Sequence, residues 1–227
     1  MSKRYGVLIV AGLAAWLLLS GKSRAAEPPD VTDYIPPENP DADNWDLLPN
    51  DWYMNPQSTI AERNRAAFLA MIRHAEGTDL RPDPYSVLYS YASHSVDFRD
   101  HPAARETYGD NRWRGVRLPD AMCRSAGFGP GCVSTAAGAY QFILGTWRNA
   151  KNALQLRDFS PASQDRAAIW LLQQRGALAH IDAGRIEEAI SAARREWASL
   201  PGSGWGQPER KLEALVQVYA DAGGSIA

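Results

Sequence analysis

A helix with both of its ends written into the sequence constrains this chain more than any other feature. Thr59 followed three positions later by Glu62 is a capping-box pattern. Ala61, Phe68, Leu69 and Ile72 then recur at helical spacing until Gly77 stops the helix. Glu76 therefore stands where a rigid, buried helix ends. A carboxyl group in a last helical turn faces the negative end of the macrodipole, which disfavours its ionised form and raises its pKa. A general acid needs that setting, because an acid fully ionised at neutral pH cannot protonate a leaving oxygen. Glutamates near helix ends are more often solvated surface groups, so the rest of the chain decides between the two readings.

From Arg81 to Thr135 the helical periodicity dissolves into Tyr, Ser, Asp, Gly and Pro. The short alternation at Ser86-Val-Leu-Tyr-Ser-Tyr91 is the one piece expected to pair as a small hairpin. After Ser134 the chain reads as helical. One helix is expected over about Ala139 to Leu154. Ser160-Pro161, an N-cap followed by proline, opens another that closes at Gly176. A third runs from about Arg185 to Ala198 before Leu200-Pro-Gly202, and the last from Pro208 to Ala222 before Gly223-Gly224. Trp170, Leu171, Ile190, Trp197, Leu212, Leu215 and Tyr219 are assigned to the core. The expected class is α+β, a small β-containing lobe set against a larger helical one, with a cleft between them in which a polymer can lie.

The front of the chain differs from this domain. Met1-Ser-Lys-Arg4, the apolar run YGVLIVAGLAAWLLL from Tyr5 to Leu19, and small residues at Ser23 and Ala25 have the build of an export signal. Cleavage before Ala26, retention as an inner-membrane anchor and a weak anchor that later slips out all fit these residues. Residues 27–51 then carry eight acids and no Lys or Arg, and seven of the fifteen prolines lie between Pro28 and Pro56. This composition reads as an extended acidic tether, with Trp45, Trp52 and Tyr53 near its end placed to dock on the domain. The division is thus 1–26 for signal or anchor, 27–57 for tether and 58–227 for the domain, with an exported, periplasm-facing location. Residues 52–227 hold 20 basic against 18 acidic groups and no basic tract, which argues against nucleic acid as a partner.

Cys123 and Cys132 flank a turn-rich Arg-Ser-Ala-Gly-Phe-Gly-Pro-Gly segment, and spacing and export together favour a disulfide over two free thiols. Two cysteines without nearby histidines are half a ligand set. His74, His94, His101 and His180 lack ligand spacing, so no metal site is expected, and His101 in Asp-His-Pro is read as shaping a turn.

Several stretches resemble one family, the lambda-phage type endolysins, lytic transglycosylases with a lysozyme-like fold. They are Ala67-Phe-Leu-Ala-Met71, Ala75-Glu-Gly-Thr-Asp79, Asp100-His-Pro102, Ser134-Thr-Ala-Ala-Gly-Ala-Tyr-Gln141 and Asp158-Phe-Ser-Pro-Ala-Ser-Gln-Asp165. Arg175-Gly-Ala-Leu178, Ile181-Asp182, Trp197-Ala-Ser-Leu-Pro-Gly202 and Gly204-Trp-Gly-Gln207 continue the match in the same order. The resemblance implies cleavage of the β-1,4 bond between N-acetylmuramic acid and N-acetylglucosamine in peptidoglycan glycan strands. It implies that Glu76 is the single catalytic glutamate, that the product is a 1,6-anhydro sugar, and that no cofactor takes part. It places Thr78, Asp79, Ser134, Tyr140 and Gln141 in the substrate cleft, although core packing for Tyr140 and turn capping for Thr78 and Asp79 are the plainer readings of those residues alone. The Ser160 to Asp165 block suits helix capping.

The front signal, the tether and a segment around Arg112 to Cys132 depart from the family pattern. They leave the delivery route open between phage lysis, a virion and a bacterial envelope machine. Two other functions stay beside the transglycosylase. One is a muramidase that uses water and a second carboxylate from Asp79, Asp83, Asp97 or Asp100. The other is a non-catalytic wall-binding module, against which the intact Glu76 argues. A monomer is expected.

Overall fold

A computed structural model describes residues 58–91, 97–125, 127–205 and 208–227. The signal, the tether and His94 lie outside the described residues.

The capping box forms as the sequence predicts. The Thr59 N–H donates to Glu62 Oε2 at 2.6 Å, and the Glu62 N–H donates to Thr59 Oγ1 at 3.2 Å. Helix α1 (Ile60–Glu76) follows, and Gly77 closes it at φ 71°, a left-handed conformation that glycine adopts without steric cost. Along α1 the side chains of Ala67, Phe68, Met71, Ile72 and Ala75 are fully buried. They pack with Trp147, Phe159, Leu172, Ile181, Ile190, Leu200, Leu215 and Tyr219 in one core. A polar residue also sits on this buried face. Asn64 donates to the Ile181 carbonyl at 3.0 Å and accepts from the amide and hydroxyl of Ser225 at 2.9 and 2.8 Å, so the first helix is sewn to the far end of the chain. Arg65 and Asp182 add a two-pronged ion pair at 2.7 Å.

The small lobe follows α1 and contains α2 (Arg105–Tyr108), β1 (Val116–Arg117), α3 (Asp120–Ser125) and β2 (Val133–Ser134). The sheet is antiparallel, with Val116 opposite Ser134 and Arg117 opposite Val133. The expected disulfide is present: Cys123 and Cys132 are bonded with Cα atoms 5.8 Å apart, closing the segment between the strands. Its own core is Tyr89, Leu118, Cys123, Ala136 and Ile143.

The hairpin expected at Ser86–Tyr91 does not form. Pro84–Ser86 and Tyr89–Tyr91 are single 3-10 turns, with Ser90 at φ 62°. Val87, Leu88 and Tyr89 are all buried, so alternation here does not divide an inner from an outer face, and Leu88 contributes only an isolated bridge to Ala137.

The helical lobe then contains α4 (Leu144–Leu154), α5 (Pro161–Gln174), α6 (Leu178–Asp182), α7 (Ile186–Ala193) and α8 (Leu212–Asp221). The Ser160 cap is as expected, its hydroxyl accepting from the Ser163 N–H. Three helices are shorter than expected, each for a local reason. Helix α4 starts at Leu144 because Ala137 and Phe142 exchange backbone hydrogen bonds at 2.9 and 2.8 Å around a tight turn, with Gly138 at φ 78° and Gln141 at φ 49°. Helix α7 stops at Ala193, beyond which the chain turns and buries Glu196 against Arg175 at 3.0 Å. Helix α8 begins late because Lys211, its N-cap, is extended at φ −75° and ψ 138°, with the Arg210 N–H before it taken by the Ser199 carbonyl at 2.8 Å.

A Cβ at Gly138 would lie 2.2 Å from Gln164 Oε1 and 2.9 Å from Phe159 Cζ. Gly138→Ala combines this overlap with left-handed strain and is expected to destabilise the fold by about 2–4 kcal/mol, read as a lower urea midpoint at unchanged slope.

Candidate active site

Glu76 is the C-terminal residue of α1, and the fold buries it to 1% exposure. The side chain that meets it comes from the turn after α7. Ser199, itself buried, donates its hydroxyl to Glu76 Oε1 at 2.6 Å. Burial pushes the Glu76 carboxyl up to about 8, and the Ser199 hydrogen bond and the positive Arg210 pull it back only in part. The direction matches the sequence expectation, but the cause differs. Loss of water raises this pKa, and the helix end whose dipole had been invoked is capped by a cation. Arg210 donates from Nε to the Ala75 carbonyl at 3.2 Å and from Nη2 to the His74 carbonyl at 3.4 Å. At neutral pH the group is a buried, protonated carboxyl, which is what a general acid requires.

Four of the five residues placed in the cleft are buried and bonded to the protein itself. Thr78 is fully buried and donates to the Ala139 carbonyl at 2.7 Å, tying the turn after Gly77 to the 137–142 turn. Tyr140 is 1% exposed. Its hydroxyl donates to Asp165 at 2.5 Å and accepts from Arg73 Nη1 at 2.9 Å, while the Trp197 indole donates to its carbonyl at 3.1 Å. Gln141 donates to the Gly138 carbonyl at 2.9 Å, inside its own turn. Ser134 is buried in β2, and its hydroxyl accepts from the Ala136 N–H at 3.3 Å. Asp79 is partly exposed and pairs with His74 at 2.8 Å. Thr78, Tyr140 and Gln141 thus fix the 137–142 turn against the end of α1. Ser134 instead lines a cavity of about 530 Å³ with Phe128, Pro130, Val133, Ile143 and Leu144, and Glu76 is not in its wall.

The other carboxylates considered as second catalytic groups are engaged as well. Asp83 accepts from the Tyr85 N–H at 3.0 Å, and Asp97 pairs with Arg99 at 2.6 Å. Asp100 is buried and accepts from Lys151 at 2.6 Å, Thr107 at 2.8 Å and the Trp147 indole at 2.9 Å. Burial alone would raise its pKa, but these bonds and the His101 N–H outweigh that and hold it below the usual value. His101 shapes the turn, accepting from the Ala103 N–H at 3.2 Å with its other ring nitrogen on the Phe142 carbonyl at 2.9 Å.

Sequence reasoning missed three contributors. Ser199 lies in Trp197-Ala-Ser-Leu-Pro-Gly202, where its conjunction with proline and glycine suggested only a turn. Asp165, held by Tyr140 and by Tyr85 at 2.9 Å, looked like part of a cap. Arg210 carries no local signal.

The profile of the Endolysin family matches residues 66–226. The chain belongs to the endolysin family. It is 43% identical over 162 residues to the endolysin of Escherichia phage P2, covering 71% of this chain and 94% of that protein. It is 36% identical over 167 residues to the endolysin of Escherichia phage lambda, covering 71% of this chain and 92% of that one. Among solved structures, bacteriophage lambda lysozyme complexed with a chitohexasaccharide aligns at TM-score 0.60 with 35% identity, covering 73% of this chain and 97% of that one. A second structure of the lambda lysozyme aligns at TM-score 0.57 with 34% identity. This endolysin therefore has the lambda-lysozyme fold, a largely helical domain with a two-stranded antiparallel sheet.

The Glu76 carboxyl ionises near 4.5 when unfolded and near 8 when folded. Because the folded value is the higher, the stability that comes from holding this proton is complete below about pH 4.5 and is lost as pH rises through about 8. In the parent, ionisation in the unfolded state therefore weakens folding between those values, and Glu76→Gln escapes that loss. The variant is expected to be more stable than the parent at pH 7 by roughly 3 kcal/mol, the difference vanishing near pH 4, as measured by denaturant titration at both pH values.

Proposed function

We propose that this endolysin is a lytic transglycosylase that breaks the β-1,4 bond between N-acetylmuramic acid and N-acetylglucosamine in peptidoglycan. The observation that carries the reading is the buried Glu76 carboxyl, protonated at neutral pH and held by Ser199. It donates its proton to the glycosidic oxygen as the C1–O bond breaks, which releases the leaving sugar as a neutral alcohol. The carboxylate so formed takes the proton of the muramic 6-hydroxyl while that oxygen closes on C1. The product is a 1,6-anhydro end, and Glu76 is again protonated. One group acting as acid and then base is sufficient, whereas an ordinary hydrolase places two carboxyl groups across the bond.

Two further observations support the reading. Asp79, Asp83, Asp97 and Asp100 are each bound to a neighbouring protein group, with Asp100 the most heavily committed. The lambda lysozyme was solved with a chitohexasaccharide, a β-linked chain of N-acetylated sugars, which is the ligand chemistry proposed here. The amino-terminal apolar run and acidic tether fit delivery of the domain to the wall side of a membrane.

Purified peptidoglycan digested with this protein is expected to give muropeptides with anhydro-muramyl ends, read by mass spectrometry. Glu76→Gln is expected to fold and to lose about 1,000-fold or more of the rate. Reducing muramyl ends would overturn the transglycosylase in favour of a muramidase, and fragments made equally by Glu76→Gln would place the acid elsewhere.

A further inference from the structure

Arg210 joins the two chain segments that meet at the catalytic carboxyl. Its guanidinium takes the carbonyls of the two residues that precede Glu76, Ala75 at 3.2 Å and His74 at 3.4 Å. Its backbone N–H takes the carbonyl of Ser199 at 2.8 Å, and Ser199 in turn gives its hydroxyl to Glu76 Oε1 at 2.6 Å. The result is a closed circuit from the end of α1 through Arg210 and Ser199 and back to Glu76. Both of the side chains joined at 2.6 Å are buried, so water does not compete for either.

We propose that Arg210 is a positioning residue for Glu76, clamping Ser199 against Oε1 and thereby reserving Oε2 as the oxygen that carries the proton to the substrate. The carbonyl-type oxygen of a neutral carboxyl is the better acceptor, so a fixed donor on Oε1 places the acidic hydrogen on Oε2. Without the clamp the carboxyl can present either oxygen, and only one orientation meets the glycosidic bond. The assignment rests on Glu76 being the acid of the proposed reaction.

The same circuit sets the pH at which the acid works. A hydrogen bond to Oε1 and a nearby positive charge both favour the ionised form, so losing either raises the pKa further. Four other charged groups on the neighbouring segments are paired elsewhere. Arg73 donates to the Tyr140 hydroxyl, His74 is on Asp79, Glu196 on Arg175, and Glu209 accepts from the amides of Gly202 and Gly204. Arg210 is the cation that acts on Glu76.

The test compares full-chain Arg210→Met, Arg210→Lys and Ser199→Ala with the parent and with Glu76→Gln. It reads peptidoglycan turnover against pH and follows the Glu76 carboxyl directly by its carbon-13 shift. Arg210→Met is expected to keep its melting transition above the assay temperature, to move the Glu76 titration and the alkaline limb of the rate profile to higher pH, and to lower kcat by about tenfold or more with a smaller change in KM. Ser199→Ala moves both curves the same way, Arg210→Lys restores part of the loss, and Arg210→Met adds nothing in a Glu76→Gln background. A folded Arg210→Met with the parent's titration curve and kcat overturns the clamp. A shifted titration with unchanged turnover overturns the reading of Glu76 as the acid, and full activity in Glu76→Gln does the same. If Arg210→Met does not fold, Ser199→Ala, which removes a single oxygen, decides on the same two readouts.

Discussion

Everything at the candidate site depends on the removal of one carboxyl group from water. A glutamate at the end of a surface helix is ionised and hydrated. Here the helix carrying it runs through the core, so its last residue is delivered into protein rather than into solvent. Burial makes the charged form costly and the neutral form the resting one, and the Ser199 hydroxyl donates to it. The capping box at Thr59 and the left-handed Gly77 set the length of α1 and so the depth at which Glu76 arrives.

Around that point the fold uses turns rather than helices. The 137–142 turn is held from three sides, by Thr78 on the Ala139 carbonyl, by Gln164 on the Ala139 amide at 2.9 Å, and by Trp197 on the Tyr140 carbonyl. The Arg73–Tyr140–Asp165–Tyr85 chain of hydrogen bonds ties the same turn to α1 and α5. Burial raises the Asp165 carboxyl, with the two tyrosine hydroxyls and Arg73 opposing that, so this network keeps a carboxyl inside the protein without leaving it unsatisfied. The small lobe is less deeply anchored. Two residues per strand are a minimal sheet, and the Cys123–Cys132 bond closes the segment between them.

Features encoded locally were legible in the sequence. The start and stop of α1, the Ser160-Pro161 helix start and the two-cysteine staple each depend on residues within a few positions of one another. Local patterning failed where tertiary contacts override it. The alternation at 86–91 read as a hairpin because periodicity cannot show that both faces are covered. The helix expected from Ala139 is displaced because Ala137 and Phe142 exchange two backbone bonds there, which commits the intervening residues to a turn. The resemblance placed Tyr140 and Gln141 in the cleft, and the structure shows them bonded within the protein. Ser199 is 123 positions from its partner Glu76, and Arg210 reaches carbonyls 135 and 136 positions away. No pattern along the chain encodes such pairs.

The bond between Asn64 and Ser225 spans 161 positions and bears on the order of events in the life of the chain. Asn64 is fully buried on the first helix, and the groups that satisfy its side-chain oxygen come from beyond the last helix. Until residue 225 has been synthesised, α1 has neither that polar partner nor the apolar face of α8 to pack against. The packing of the first helix is therefore completed only by the far end of the domain. The residues beyond α8 are thus part of what seats α1 and, through it, Glu76.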